Sequence, residues 1–372
     1  MGAVCIDSPA RDRVKKLVHA ARALVQGSSS SAGPISPAFS QVLKNFSVAS
    51  GLSPEGAMWA LTEAMEWRAT DDECATLVAG AGPAIAPGPL VVILAANVTT
   101  AALRALGCAV ARCEDVVVHT SSRDSVLAKY LVHTASISGL RIEMDRTRLP
   151  WTDPRAHMIL YGSSETANAV RQRFFGTLEV HGPGAGMALL TDDDGDDAMR
   201  RLADDVAAFD QRGCLSPGVA LHIGSPEHGE ALSALLFSHL QRLGSARPIG
   251  VLRSEELAVR ALCIQTSRLL GRVWSDASAA VAHQASCGAL ELAPVGRVLT
   301  ICTVDSVAAA EALAAPIAPM LSALGCDRDP LRSAFLPGYS LRRSHLGAMQ
   351  KPAFDGPVDK RPHTPMPPET RL

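Results

Sequence analysis

Cys214 is the residue best placed to do covalent chemistry. It stands in Phe209-Asp210-Gln211-Arg212-Gly213-Cys214-Leu215-Ser216-Pro217. Before it runs an amphipathic helical stretch carrying Met199, Leu202, Val206 and Phe209; after it comes a strand-length apolar run, Gly218-Val219-Ala220-Leu221-His222-Ile223. A thiol at a helix-to-strand junction, beside a glycine that lets another backbone come close, is presented as a nucleophile must be. Free cysteines are in general core residues. The junction is what separates Cys214 from the other eight cysteines of the chain.

No cysteine pair has C-x-x-C spacing, so the sequence argues against a structural zinc site and against a disulfide framework. The cysteines are expected to be thiols in a reducing compartment, with one of them reactive. Histidines 133, 157, 222, 228, 239 and 283 are scattered singly and read as structural, so no metal is expected.

A chain of 372 residues has room for two or three domains. With 47% apolar and 19% charged residues and a net charge of −2, it has ample core and no basic stripe for nucleic acid. Its longest apolar stretches, residues 90–97 and 277–282, are too short to span a bilayer. The first residues lack a secretion pattern, and a cytoplasmic protein is expected.

The elements that must position Cys214 follow from periodicity. Residues 1–26 read as a helix and 27–34 as a serine-rich linker; Ser36-Pro37 and Ser53-Pro54 open further helices, and another starts at Thr70. Residues 89–95 form a continuous apolar run, the mark of a strand buried on both faces. Then come a helix over 101–111, a strand over 115–119, a helix carrying Leu127, Tyr130 and Leu131, a strand over 158–161, a helix to Phe174, and strands over 178–181 and 187–190. Beyond Cys214, a helix is expected over 229–243, a strand over 297–302 and a helix over 306–324, with a loose tail from 362. Such alternation argues for a doubly wound α/β sheet, whose ligands sit past the carboxyl ends of the strands. Asn97, His119, Thr120, Gly162, Ser163 and Gly182 all fall at those ends. Gly182-Pro183-Gly184-Ala185-Gly186 leads into a strand rather than a helix, so it is not a dinucleotide phosphate loop. Gly162-Ser163-Ser164, between strand and helix, is the better phosphate contact.

Taken together, these residues resemble a known family. The block ending Asp210-Gln211-Arg212-Gly213-Cys214-Leu215-Ser216-Pro217 resembles the D-Q-x-x-C-x-S-P segment of the acyl-CoA reductases that supply aldehyde to bacterial luciferase, a branch of the aldehyde dehydrogenase superfamily. In the same order, Ala96-Asn97-Val98, Thr120-Ser121-Ser122-Arg123-Asp124, Tyr161-Gly162-Ser163-Ser164-Glu165 and His181-Gly182-Pro183-Gly184 are similar to family landmarks, as are the segment from Arg342 to Met349 and Asp355-Gly356. The likeness runs from about residue 36 to about 360. It implies an aldehyde-dehydrogenase-like α/β fold: an N-terminal helical segment (1–35), a helical cap with a doubly wound cofactor-binding domain (36–183), an α/β catalytic domain (184–330) and a C-terminal segment returning to the core (331–372).

The chemistry implied is reduction of an acyl-CoA or acyl-carrier thioester to the aldehyde. The Cys214 thiolate would form an acyl-enzyme, and the Asn97 amide with the Cys214 N–H would hold the oxyanion. NADPH, with NAD left open, would supply hydride and be held by His119, Thr120, Ser121, Gly162, Ser163 and Gly182. The sequence departs from the family at His119 and Gly184, both lysine in relatives, and at Ala96, a glycine there. Glu179 falls one step from the glutamate that activates water in aldehyde-oxidising relatives, hence on the other strand face, and reads as non-catalytic. Two other readings stay open: an acyltransferase using the same acyl-cysteine, and a catalytically degenerate binding protein. A homodimer through the 297–302 strand or the C-terminal segment is also compatible with the resemblance.

Overall fold

The computed structural model describes residues 8–28, 35–85, 88–94, 100–120 and 125–362. Four helices lead: α1 (Ser8–Gln26), α2 (Pro37–Ser50), α3 (Pro54–Trp59) and α4 (Asp71–Gly80). Their starts are set by local chemistry. The Ser36 and Ser53 hydroxyls accept N–H bonds from Phe39 and Gly56 at 3.1 and 3.0 Å, with proline at the next position, and Thr70 with Glu73 forms a reciprocal capping box.

The first sheet follows: β1 (Leu90–Leu94), α5 (Ala101–Arg112), β2 (Val116–Thr120), α6 (Val126–Ala135), β3 (Leu140–Ile142), β4 (His157–Tyr161), α7 (Ser164–Arg171) and β5 (Thr177–His181). Its strands run parallel in the order β3-β2-β1-β4-β5. The apolar run of β1 is buried on both faces, as expected. Leu90, Val92 and Leu94 pack with α1, α5 and α6, whereas Val91 and Ile93 pack with Ala167, Val170 and Phe174. Each such side chain contributes about 1.5–3 kcal/mol by leaving water.

The second sheet comprises β6 (Ala185–Thr191), α8 (Asp196–Ala207), β7 (Pro217–Ile223), α9 (Pro226–Ala246), α10 (Ser254–Leu270), β8 (Arg272–Ser275), β9 (Ala280–Gln284), β10 (Val298–Val304), α11 (Val307–Ala314), β11 (Leu321–Gly325), α12 (Asp329–Ala334) and β12 (Arg342–Ser344). The order is β12-β11-β6-β7-β10-β9-β8, parallel except for β8 against β9. No described helix is long and apolar enough to cross a membrane.

Several expectations are corrected. The helix over 306–324 stops at Ala314, because Pro316 and Pro319 lack the N–H that would continue it, and the chain re-enters the sheet as β11 between β12 and β6. The strand over 297–302 becomes β10, hydrogen-bonded on both edges by β7 and β9, so neither edge can pair with a second copy. Cys287 and Cys302 form a disulfide, so the nine cysteines are not all thiols. Strand pairing explains it: Gln284 at the end of β9 faces Cys302 in β10, which brings the following turn with Cys287 alongside.

Candidate active site

The helix leading to the thiol ends earlier than its pattern suggests. Met199, Leu202 and Val206 face the core of the second sheet, but α8 stops at Ala207, and Ala208 and Phe209 turn into the core of the first half, where Phe209 meets Trp59 edge-on at 5.6 Å. Phe209, Asp210 and Gln211 all take left-handed backbone angles, φ 53°, 50° and 67°. Non-glycine residues there cost of order 1–3 kcal/mol each and need outside support.

The support comes from the two residues that make the sequence motif specific. Asp210 Oδ1 accepts from Arg297 Nε and Nη2 at 2.9 and 2.7 Å, both side chains being 1% exposed, and Asp210 Oδ2 accepts from the Gly250 N–H at 2.9 Å. Gln211 donates to the carbonyls of Pro217 and Val298 at 2.7 and 2.6 Å and accepts the Val298 N–H at 2.8 Å, clamping the turn between β7 and β10. Earlier in the motif, Asp205 accepts N–H groups of Gly347 and Met349 at 2.6 and 3.0 Å. Burial nonetheless pushes its pKa up to about 7.

Cys214 emerges half-buried on the wall of a cavity of about 550 Å³ between the two sheets. The same cavity is lined by Gly162 and Ser163, which follow β4, and by Gly182, which follows β5. The C-terminal segment closes one side. Arg104 of α5, 1% exposed and paired with Glu66 at 2.9 Å, donates to the carbonyls of Pro352, Ala353 and Gly356 at 2.9, 2.7 and 2.9 Å. Asp359, paired with Arg361 at 2.6 Å, is thereby brought to the thiol. Protein around the sulfur desolvates its thiolate and Asp359 repels it, so the pKa is pushed up to about 11 against the opposing pull of Arg361.

Comparison with known proteins is decisive at the family level. The model of the acyl-CoA reductase (LuxC) family matches residues 40–326. The chain belongs to the acyl-CoA reductase (LuxC) family. It is accordingly an oxidoreductase of acyl or aldehyde groups. No curated protein sequence matches it significantly.

Solved structures show the same fold as this acyl-CoA reductase family member. A candidate aldehyde dehydrogenase from Burkholderia cenocepacia superposes with TM-score 0.70 at 14% identity, over 98% of this chain and 88% of that one. The NAD-dependent benzaldehyde dehydrogenase of Corynebacterium glutamicum gives 0.66 at 13%, over 91% and 82%. A 1-pyrroline-5-carboxylate dehydrogenase from Thermus with bound NAD gives 0.60 at 15%, over 98% and 78%. Fold class and family thus agree with the sequence reading.

The structure brings together four of the sequence-derived site residues of this reductase family member: Cys214, Gly162, Ser163 and Gly182 line one cavity. Ser163 also caps α7, accepting the Thr166 N–H at 3.2 Å, and a Cβ added at Gly182 would meet nothing within 4 Å. Asn97 and Ser121 lie outside the described residues. His119 and Thr120 end β2 but do not line the cavity. The His119 Nδ1–H donates to the Glu143 carbonyl at 2.9 Å, which leaves Nε2 to accept from Arg146 Nε at 3.1 Å. Arg146 is exposed, and sequence reasoning missed it because only the fold carries it next to His119.

Glu179 does not line the cavity either. Its carboxylate pairs with Arg112 Nη1 at 2.8 Å and lies 3.2 Å from His181 Nε2. Burial alone would raise its pKa, but the bond to His181 and the charge of Arg112 outweigh it and bring it to about 2. At Gly184 a Cβ would stand 2.0 Å from Ser322 Oγ and 3.1 Å from Arg361 Nη2, which explains why this family member has no lysine there. Asp359 and Arg361 carried no sequence signal, since their place depends on the Arg104 clamp.

Proposed function

We propose that this protein reduces an acyl-CoA or acyl-carrier thioester to the aldehyde through an acyl-enzyme on Cys214, with a nicotinamide cofactor as reductant. What carries the reading is that Cys214 lines the same cavity as the residues at the carboxyl end of a parallel sheet. Residues 36–183 then act as the cofactor-holding domain and 184–330 as the nucleophile-bearing one.

The chain's own groups suit a nicotinamide nucleotide. Gly182 leaves open space where a side chain would intrude, and Ser163 offers a hydroxyl and helix-start amides beside Gly162. Arg146, fixed by His119, is a cation at the end of the first sheet that suits the 2′-phosphate of NADPH over NAD. When bound, the cofactor supplies hydride.

Cys214 keeps its proton in this arrangement, so sulfur attack on the thioester carbonyl is coupled to loss of that proton, which leaves with the departing CoA thiol. Asn97 and the Cys214 N–H hold the oxyanion, worth about 3 kcal/mol per donor. Leu94, Phe209, Leu292, Val295 and Val358 form an apolar stretch of cavity wall for the acyl chain. After hydride addition and protonation, the carbon–sulfur bond breaks, aldehyde leaves and the thiol is restored. No water attacks, so Glu179 has no task.

Intact mass after incubation with a panel of acyl-CoAs, with and without NADPH, tests the reading. An acyl adduct on the wild type, absent from Cys214→Ala and discharged to aldehyde by NADPH, is expected. Adduct discharged to an added acceptor without NADPH oxidation would assign an acyltransferase, and no adduct at all a binding protein.

A further inference from the structure

Beyond the end of the second sheet opposite Cys214 lies a polar cluster that thioester reduction does not use. Asp192 follows β6, His222 is the penultimate residue of β7, and His228 lies in the first turn of α9. One ligand atom from each lies within 4.8 Å of the other two. From Pro217 to His222 the strand takes five steps of about 3.3 Å, so the cluster is roughly 16 Å beyond the strand's start near Cys214.

The hydrogen bonds around the two imidazoles engage the far nitrogen of each and leave the other facing the cluster. His228 Nε2 is 3.0 Å from the Asp194 carbonyl, which can only accept, so the ring proton sits there and Nδ1 keeps its lone pair. His222 Nδ1 is 3.3 Å from Thr303 Oγ1, and that oxygen is 3.0 Å from His283 Nε2. Thr303 Oγ1 thus bridges the two rings, whichever way the chain of hydrogen bonds runs. His222 Nε2 is wholly buried and lies 3.1 Å from Asp192 Oδ1 without a well-directed hydrogen bond. A cation held between that nitrogen and the carboxylate would give both a partner. Imidazoles whose far nitrogen is bound to an oxygen while the near one is bare are the usual setting of metal-ligating histidines.

We propose that Asp192, His222 and His228 bind one divalent transition-metal ion of the Zn²⁺ class. Two imidazole nitrogens and a carboxylate match its preference, and the exposed Asp192 side leaves the remaining position to water. Donors about 2.0–2.1 Å from such an ion stand roughly 3.3 Å apart. The exposed Asp192 and half-buried His228 can close that gap, while His222 is fixed in the strand. Asp192 already accepts the Ser225 N–H at 3.2 Å, so the ion would tie the turn after β6 to the start of α9. The site stands independently of the proposed reduction.

Metal-stripped full-length protein titrated with Zn²⁺ and Co²⁺ at neutral pH tests the proposal. The wild type is expected to take up one more ion than Asp192→Asn or His228→Ala, or to hold it at least about tenfold more tightly. Its Co²⁺ complex should lack a thiolate charge-transfer band, and Zn²⁺ should raise the melting midpoint of the wild type alone. Equal uptake and affinity in both variants, a thiolate band that accounts for all bound Co²⁺, or no uptake by the wild type would each overturn it. His222→Gln alters a buried strand residue, so the two accessible variants carry the test.

Discussion

Arg297 and Asp210 are joined by two hydrogen bonds to one carboxylate oxygen, at 2.9 and 2.7 Å, with both side chains 1% exposed. They are 87 positions apart in the chain and meet beneath the left-handed turn that ends in the thiol. The pair holds the backbone there against its own preference, so the position of Cys214 is set by charge as well as by packing.

Removing either partner leaves a buried charge without compensation. Asp210→Ala and Arg297→Met are each expected to lower stability by about 3–5 kcal/mol, and the double variant by less than their sum. Urea unfolding of the three proteins measures this. Additive losses would show that the two residues act separately.

The thiol should be slow to react in the free protein. With its pKa pushed up to about 11, Cys214 is almost wholly protonated at neutral pH. Alkylation of Cys214 by iodoacetamide, followed by peptide mass, should rise about tenfold per pH unit from about pH 7 to 10. A plateau below about pH 9 would show that the sulfur is not held in its protonated form.

Asp205 predicts a pH dependence of the opposite sign from an ordinary carboxylate. Its folded pKa is raised from 3.8 to about 7, with burial outweighing the N–H groups of Gly347 and Met349. The folded state therefore binds a proton that the unfolded state has lost between those values. The associated stability is complete below about pH 4 and lost as pH rises through about 7, by up to about 1.4 kcal/mol for each pH step of one across that window. The stability of wild type relative to Asp205→Asn should fall over the same window and be flat above it. Denaturation midpoints across the range decide the point.

Glu179 offers a test of whether a base is needed. Glu179→Gln is expected to keep acyl-thioester reduction within about twofold while losing about 1–3 kcal/mol of stability through the broken bonds to Arg112 and His181. A loss of turnover beyond tenfold at unchanged acyl-enzyme formation would restore a catalytic role.

Local signals were legible wherever one segment sufficed. The serine-proline starts of α2 and α3, the two-faced burial of β1, and a cysteine between helix and strand all depend on neighbouring residues, whose periodicity and caps the sequence states directly. The order Asp-Gln-Cys-Ser-Pro was enough to point to the family. What the tertiary structure alone decided is everything that rests on distant pairing. Asp210 and Gln211 prove to be scaffold, because their partners lie in and beside β10. Phe209 continues the helical pattern in sequence yet packs on the other core, because a left-handed turn follows Ala207. Cys287 found Cys302, and His222 found Asp192 and His228, only when parallel strands set side by side residues that the chain keeps apart. Spacing along a chain encodes a face of a helix or strand; which faces meet is settled by how the sheets stack.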